Sequence, residues 1–483
     1  MHTRRLAALL SPFVLLTTTL PAGTITVDLG GGGDYLDIQS AVNVASDGDT
    51  ILIMPGTYTQ SGKAAAVVWM LNKSITLEGV GDAASVIIDA EDARYGIHFY
   101  SSETAMPTIR NLSVTRGQGA GIRAYSSHPS IESCLIFECN GPGVIAAGSA
   151  SVLMQDCEVC YNVSGHGPAI WNPGATVTAE NCEFHHNEAT NGTPLDNTLS
   201  GSSMSLTNCE FHHNTGTTGG GVYSTFSTLV VVDCEIHHNH GDYVGAAVYA
   251  YGTGSAQIAG CDISWNTTPF DGGAVAATSG ALLELTSSVI HANEGRGVSV
   301  SFGSDATIDN CTLTSNIADD WGGAIYLNGG THTITNSTIA GNWALNGAAI
   351  GTNWQTSVAI DNCVIANNTS TDLWSAALIS SYTEGEVLSI GNSGMCNNIP
   401  EHMGSHFSSG DLGTNVFETF CTWCPGDADE SLTAGLSDVF WIIDRWGPCD
   451  GGCQGDFDGD QAIGIGDLLH VLGDWGCTVA DPM

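Results

Sequence analysis

At 483 residues the chain is long enough for two or three ordinary domains or for one long repeat domain. Ten Lys and Arg stand against 50 Asp and Glu, a formal charge of −40. That balance argues against nucleic acid and anionic membrane surfaces as partners and suits a protein in salty, extracellular water.

In chain order, residues 1–22 read as a secretory leader. Arg4 and Arg5 precede the apolar run LAALLSPFVLLTTTL, and Ala22 offers a small residue for cleavage. The run is too short for a membrane span, and no later segment is apolar for long enough. The expectation is a secreted or surface-associated protein with no membrane span in its mature chain. Export permits disulfides for the 16 cysteines.

The next stretch, GDYLDIQSAVNVASDGDTILIMPGTY, predicts a short amphipathic helix with Ile38, Ala41, Val42 and Ala45 on one face, followed by the strand TILIM. Beyond it a repeat takes over. IAGCDISWN, LTNCEFHHN and IDNCTLTSN share one frame. Cys134, Cys157, Cys182, Cys209, Cys234, Cys261, Ser288, Cys311, Ser337, Cys363 and Ser393 fill one position. Five residues later comes Asn, from Asn162 to Asn398, with one extra residue before Asn140 in the first repeat. A Gly/Ala corner and an inward Val or Ile follow, as in GGGVY and GGAIY. Short strands, tight corners and a period near 25 predict an all-β parallel solenoid of about 12 rungs. Equivalent residues stack about 4.8 Å apart as ladders, Cys/Ser inside the coil and Asn at a turn. Cys139 and Cys160, on adjacent rungs, are candidates for one disulfide.

The helix-then-strand segment resembles the entry cap of the pectin-lyase-like superfamily. That resemblance implies a right-handed parallel β-helix over residues 23–420. It fixes no function, because the superfamily holds lyases, hydrolases, esterases, adhesins and tailspikes. Phe137–Asn140, Phe184–Asn187 and Phe211–Asn214 are also similar to the F-x-x-N repeats of chlamydial polymorphic membrane proteins, which are adhesins.

Three rung features carry candidate chemistry. His185, His186, His212, His213, His237 and His238 predict two columns on opposite strand faces. Stacked imidazoles can bind Zn²⁺ or Cu²⁺, but the spacing brings no three ligands to a point and no carboxylate stands in the columns, so an exposed neutral ladder is expected. The row after the Gly/Ala corner reads His98, Arg123, Ile145, Trp171, Tyr223, Tyr249, Ala276, Ser299 and Tyr326, with Tyr100, Tyr125 and Tyr251 two residues on. Arg123, Trp171, Tyr223, Tyr249, Tyr251 and Tyr326 are the candidate glycan-binding residues, since aromatic faces stack on sugar rings. Plain aromatic filling of the sheet surface is the alternative. Finally, Arg94, Arg110, Arg116 and Arg123 lie within 30 residues. With Asp242, Asp271, Asp319 and Asp320, they are the groups a uronate lyase would use as base and cations. No catalytic motif ties them together.

Residues 421–483 change character. Asp456, Asp458, Asp460 and Asp467 take positions 1, 3, 5 and 12 of a Ca²⁺ loop, with the Ala462 carbonyl at position 7. Asp427, Asp429, Ser431, Thr433 and Asp438 repeat the frame. The duplicated loop and helix resemble dockerin modules. A small α-helical module docking onto a cohesin-like partner is what that implies, with capping or tethering equally open. Gln461 and Leu432 stand where Gly is usual in such loops. Disulfides Cys424–Cys449 and Cys453–Cys477, or a Cys424–Cys477 clasp, are the pairings considered, with Cys396–Cys421 besides. The partner of the solenoid is expected to be an extracellular glycan or a surface protein.

Overall fold

In the computed structural model, residues 22–371 are described apart from 61, 63, 102–104, 270–271 and 355. Beyond them the description covers 379–381, 386–396, 398–399, 407–409, 416–418, 447–448 and 462–463. The leader and the acidic calcium-loop residues lie outside it, as do Asp271 and the cysteines from Cys421 on. Ala462 alone of the loop ligands is described: Ala462–Ile463 pairs antiparallel with Gly447–Pro448.

Each turn of the chain lays down three short strands, and every strand pairs in parallel with its equivalents one turn before and after. The described strands form sheets of 16, 13 and 15. The first sheet begins at Thr24–Val27, the second at Ala66–Leu71 and the third at Gly56–Tyr58. The result is a parallel β-solenoid of about 13 turns, close to the dozen expected. Strand alternation sends Leu, Ile, Val and Phe inward to one continuous core. Among the described residues no helix is long and apolar enough to cross a membrane.

The corners around the third sheet explain the period. Its strands from Ser113–Thr115 to Val364–Ala366 are each bracketed by single residues in the left-handed region, such as Asn208 (φ 52°) and His213 (φ 54°) around Glu210–His212. The first of these corners precedes the Cys/Ser position and is mostly Asn, Asp, Ser or Gly, the types that accept φ > 0 at least cost. The second precedes the Asn position.

Both ladders are internal. Cys209 Sγ donates to the Thr207 carbonyl, and where Ser288, Ser337 and Ser393 replace Cys their hydroxyls accept a backbone N–H from the turn before at 3.1 Å. Each Asn serves three groups. The amide of Asn214 donates to the Phe184 carbonyl (2.8 Å) and to Asn239 Oδ1 (3.0 Å). That same oxygen accepts the Asn214 backbone N–H at 3.0 Å. Polar backbone at a buried corner is thereby satisfied without water.

The helix spans Ile38–Val44, capped by Asp37 at the Ser40 N–H (2.8 Å), and buries Ile38, Ala41 and Val42 over the open end of the coil. Lys73 Nζ donates to the carbonyls of Val42, Asn43 and Ala45 at 2.5, 3.0 and 2.6 Å, serving groups the helix end leaves unpaired.

Three expectations are corrected. The first repeat carries no inserted residue: the Cys139 N–H bonds Asn162 Oδ1 (2.9 Å), so Cys139 occupies the Asn-ladder position and Asn140 is exposed. Phe137 is therefore out of frame with Phe184 and Phe211; it pairs with Cys160 on the outward column, while Ile136 takes the inward place. Cys139 and Cys160 form no disulfide; both are buried free thiols on different sides of the chain, one in the inner ladder and one in the outward column.

Candidate functional site

The second sheet sets the geometry. Its residues just after the inward Val or Ile line up rung by rung. The register runs Trp69, His98, Arg123, Ile145, Trp171, Asp196, Tyr223, Tyr249, Ala276, Ser299 and Tyr326. The expected residues are thus one continuous outward column. Two members, Trp69 and Asp196, escaped the sequence reading. Asp196 has a signal in spacing: Trp171 and Tyr223 are 52 residues apart, two periods, so a rung must stand between them. Its corner is Thr-Pro-Leu, without the Gly/Ala signature, and Leu195 takes the inward place.

The column divides into three clusters. At the start, Trp69, Leu71, His98, Tyr100, Arg123 and Tyr125 line a groove of about 510 Å³. Tyr100 and Tyr125 stack with centroids 5.6 Å apart, and the Arg123 guanidinium lies 5.5 Å from both the Tyr95 and Tyr125 rings. His98 is 4% exposed, packs against Trp69 at 4.7 Å, and neither ring nitrogen has a partner. Burial and the nearby Arg123 charge pull its pKa down to about 4, so the ring is neutral near pH 7.

The middle cluster surrounds Asp196. Trp171 and Tyr223 flank its carboxylate on the adjacent rungs, and Tyr249 stacks on Tyr223 at 5.1 Å. Tyr249 holds its hydroxyl 3.0 Å from Thr278 Oγ1, and Tyr251 is exposed beside it. Short strands Val163–Ser164 and Glu188–Ala189 raise the neighbouring loops into a wall. His166 on that wall brings Nδ1 within 3.4 Å of Asp196 Oδ2. His166, Trp171, Val163, Thr190 and Asn140 line a cavity of about 560 Å³ there. Asp196 is 2% exposed, and its Oδ1 has no hydrogen-bond partner. Burial outweighs His166 and raises its pKa to about 6. At the far end, Tyr326 carries the Arg296 guanidinium 4.0 Å over its ring.

The four arginines do not gather. Arg110 pairs with Glu78 at 2.7 Å, Arg116 with Asp89, and Arg94 lies 3.8 Å from Glu91. Arg123 alone of the four joins the column. Of the expected acidic residues, Asp242 lies 3.3 Å from His240 and Asp319 is exposed, while Asp271 lies outside the described residues.

The histidines lie on a different face, and two expectations about them fail. The left-handed corner at His186, His213 and His238 breaks strand alternation, so both residues of each pair stay outside and touch, Nδ1 to Nδ1 at 2.8–2.9 Å. Carboxylates also stand in the array: Glu158, Glu183 and Glu210 bond Nε2 of His185, His212 and His237 at 3.1, 2.9 and 3.0 Å. Strand partners two apart share a face, and each Glu reaches the imidazole of the next turn.

Among curated proteins, SHC SH2 domain-binding protein 1 of Mus musculus is 26% identical over 153 residues, 32% of this chain and 22% of that protein. The Homo sapiens protein of the same name is 27% identical over 154 residues, 32% and 21% of the two chains. This chain therefore spans about a fifth of the length of those relatives. Among solved structures, tailspike protein 3 of Bacteriophage CBA120 superposes with a TM-score of 0.44 at 11% identity, over 79% of this chain and 57% of that one. Pectate lyase Pel9A gives 0.29 at 11% identity, over 82% and 80%. The model of the right handed beta helix region matches residues 95–261 and 246–399, the stretch that contains the Cys and Asn ladders, and the chain belongs to that family.

Proposed function

We propose that the outward column of the second sheet binds an extracellular polysaccharide laid along the solenoid axis. The observation that carries this reading is the continuity of the column. Trp171 and Tyr223 flank a buried carboxyl, Tyr249 stacks on Tyr223, and further rings stand at Trp69 and Tyr326 on the same line, with Tyr125 on the row beside it. Flat rings offer stacking faces for sugars, and Arg123, His166 and Asp196 supply directional hydrogen bonds. The chain acts outside the cell in this reading, and the acidic loops at 427–438 and 456–467 bind Ca²⁺ and dock or tether it to a cohesin-like or other surface partner.

Full-length protein on a glycan array should retain at least one polysaccharide. Trp171→Ala and Tyr223→Ala should each weaken that binding about tenfold or more with the melting temperature little changed. Retention of nothing, or affinity unchanged in both variants, refutes the assignment. Chelation of Ca²⁺ should lower the melting of residues 421–483 and leave the solenoid transition in place; identical melting with and without chelator would exclude the calcium loops.

Asp196 favours a second reading, a glycosidase on the same groove. A carboxyl that holds its proton to about pH 6 beside an imidazole has the character of a general acid. Release of reducing ends, abolished in Asp196→Asn while binding persists, would establish it; binding without cleavage leaves the lectin-like reading alone. A lyase would instead produce unsaturated uronate, read by absorbance.

A further inference from the structure

We propose that Glu158, Cys160 and His185, on the outer face of the third sheet, form a binding site for one Zn²⁺ ion. This site lies on another face from the groove and does not depend on its function. The three side chains come from two adjacent turns. Glu158 and Cys160 are i and i+2 on one strand, so both point outward, and His185 is the register partner of Cys160 on the next turn.

Their ligand atoms all lie within 4.8 Å of one another. Glu158 Oε1 is 3.4 Å from Cys160 Sγ and 3.1 Å from His185 Nε2. Tetrahedral zinc with ordinary Zn–S, Zn–N and Zn–O lengths separates its ligand atoms by roughly 3.3–3.6 Å. Two edges of the polyhedron are thus nearly in place. Glu183 Oε1, 3.7 Å from the same imidazole nitrogen, is the nearest further donor, and water fills the position otherwise.

The surroundings also match a metal site. His185 Nδ1 meets His186 Nδ1 at 2.8 Å, so a metal that displaces the proton from the Nε2···Glu158 contact leaves the ring its Nδ1–H to donate to His186 while Nε2 ligates. Cys160 is 3% and His185 8% exposed, while the Glu158 side chain is half-exposed and leaves an entry path. The acidic residues Glu158, Glu183 and Glu138 all bear on the Cys160 sulfur. Their field favours a dication at the same point. One thiolate, one imidazole and one carboxylate are a borderline-soft set suited to Zn²⁺ rather than Ca²⁺ or Mg²⁺. The thiol stands at the start of the imidazole run: Phe137 precedes Cys160 and imidazoles occupy the next three turns, while the other cysteine of the described column, Cys396, follows Ala366 far from any of them.

The test uses full-length protein titrated with Zn²⁺ and, as a spectroscopic probe, with Co²⁺. One Zn²⁺ should bind with an affinity that falls at least tenfold in Cys160→Ser, Glu158→Gln and His185→Gln. The thiolate-to-cobalt charge-transfer band should vanish in Cys160→Ser alone of a pair with His238→Gln. Circular dichroism confirms the fold of each variant, and Glu158→Gln, a half-exposed position, keeps the test valid if the two buried ones unfold. Absence of Zn²⁺ binding, or Zn²⁺ affinity equal in Glu158→Gln and the parent, overturns the proposal. So does a cobalt band that survives Cys160→Ser, which would place the thiolate elsewhere in the chain.

Discussion

His98 and Asp196 are the two titratable side chains on the groove column that the solenoid buries without a complete set of hydrogen bonds. Each has paid desolvation in favour of its neutral form, and each is therefore a lever on stability or binding. For His98 the direction is simple. Its folded pKa is near 4 against 6.5 for the free group, so the unfolded chain takes up the proton first. No cost arises above pH 6.5; between 6.5 and 4 stability falls as pH falls, by at most about 1.4 kcal/mol per unit and about 3 kcal/mol in all. Denaturant melts at pH 7 and pH 5 should show that loss, and His98→Phe, which keeps a ring against Trp69, should remove most of it. Equal pH dependence in the parent and in His98→Phe would mean that other groups govern acid stability. Neither residue's state was legible in the sequence. A lone His after an apolar strand pattern shows its face but not the rings of Trp69, Tyr95 and Tyr100 that close over it.

A turn of this solenoid is defined by its corners as much as by its strands. The Asn, Asp or Ser before nearly every Cys/Ser position holds φ near 50°, with Gly260 at 66° before Cys261, and the chain turns there into the third sheet. Asn310 (φ 53°) is exposed, so its backbone preference can be tested apart from packing. Asn310→Val should cost about 1–2 kcal/mol, because a β-branched residue resists the left-handed region, while Asn310→Gly should be near neutral. A melting temperature unchanged in Asn310→Val would show that the corner relaxes. These corners also explain what was readable. The Cys, Asn and Gly/Ala frame follows directly from period and chemistry, and it gave the sheets and the inward ladders. Strict alternation then misled at the second corner: His185 and His186 were placed on opposite faces, because one residue at φ 52° between strand and Asn leaves no trace in the hydrophobic pattern. The Phe137 frame failed likewise, since Ile136 and Phe137 are both apolar and only the Asn162 contact to Cys139 decides the register.

At the scale of the whole molecule, each turn rests only on the turns beside it, and the core is a line of such contacts rather than a centre. The aromatic column and the imidazole column can therefore run along different faces of the coil without sharing a rigid hub. The same architecture predicts how damage spreads. Phe184 and Phe211 stack inside the coil with centroids 5.0 Å apart and planes 6° from parallel. Phe211→Ala removes a fully buried ring and should cost about 3–5 kcal/mol. In a globular core that loss would lower the protection of nearly every slow amide. Here the penalty falls on one turn and its two interfaces. Amide hydrogen exchange should therefore quicken most between about residues 184 and 240, while strands such as Thr76–Gly79 and Thr331–Thr335 keep their rates. Uniform acceleration along the whole coil would show instead that the turns unfold as one unit, and that neighbouring interfaces are strong enough to carry strain across the full stack.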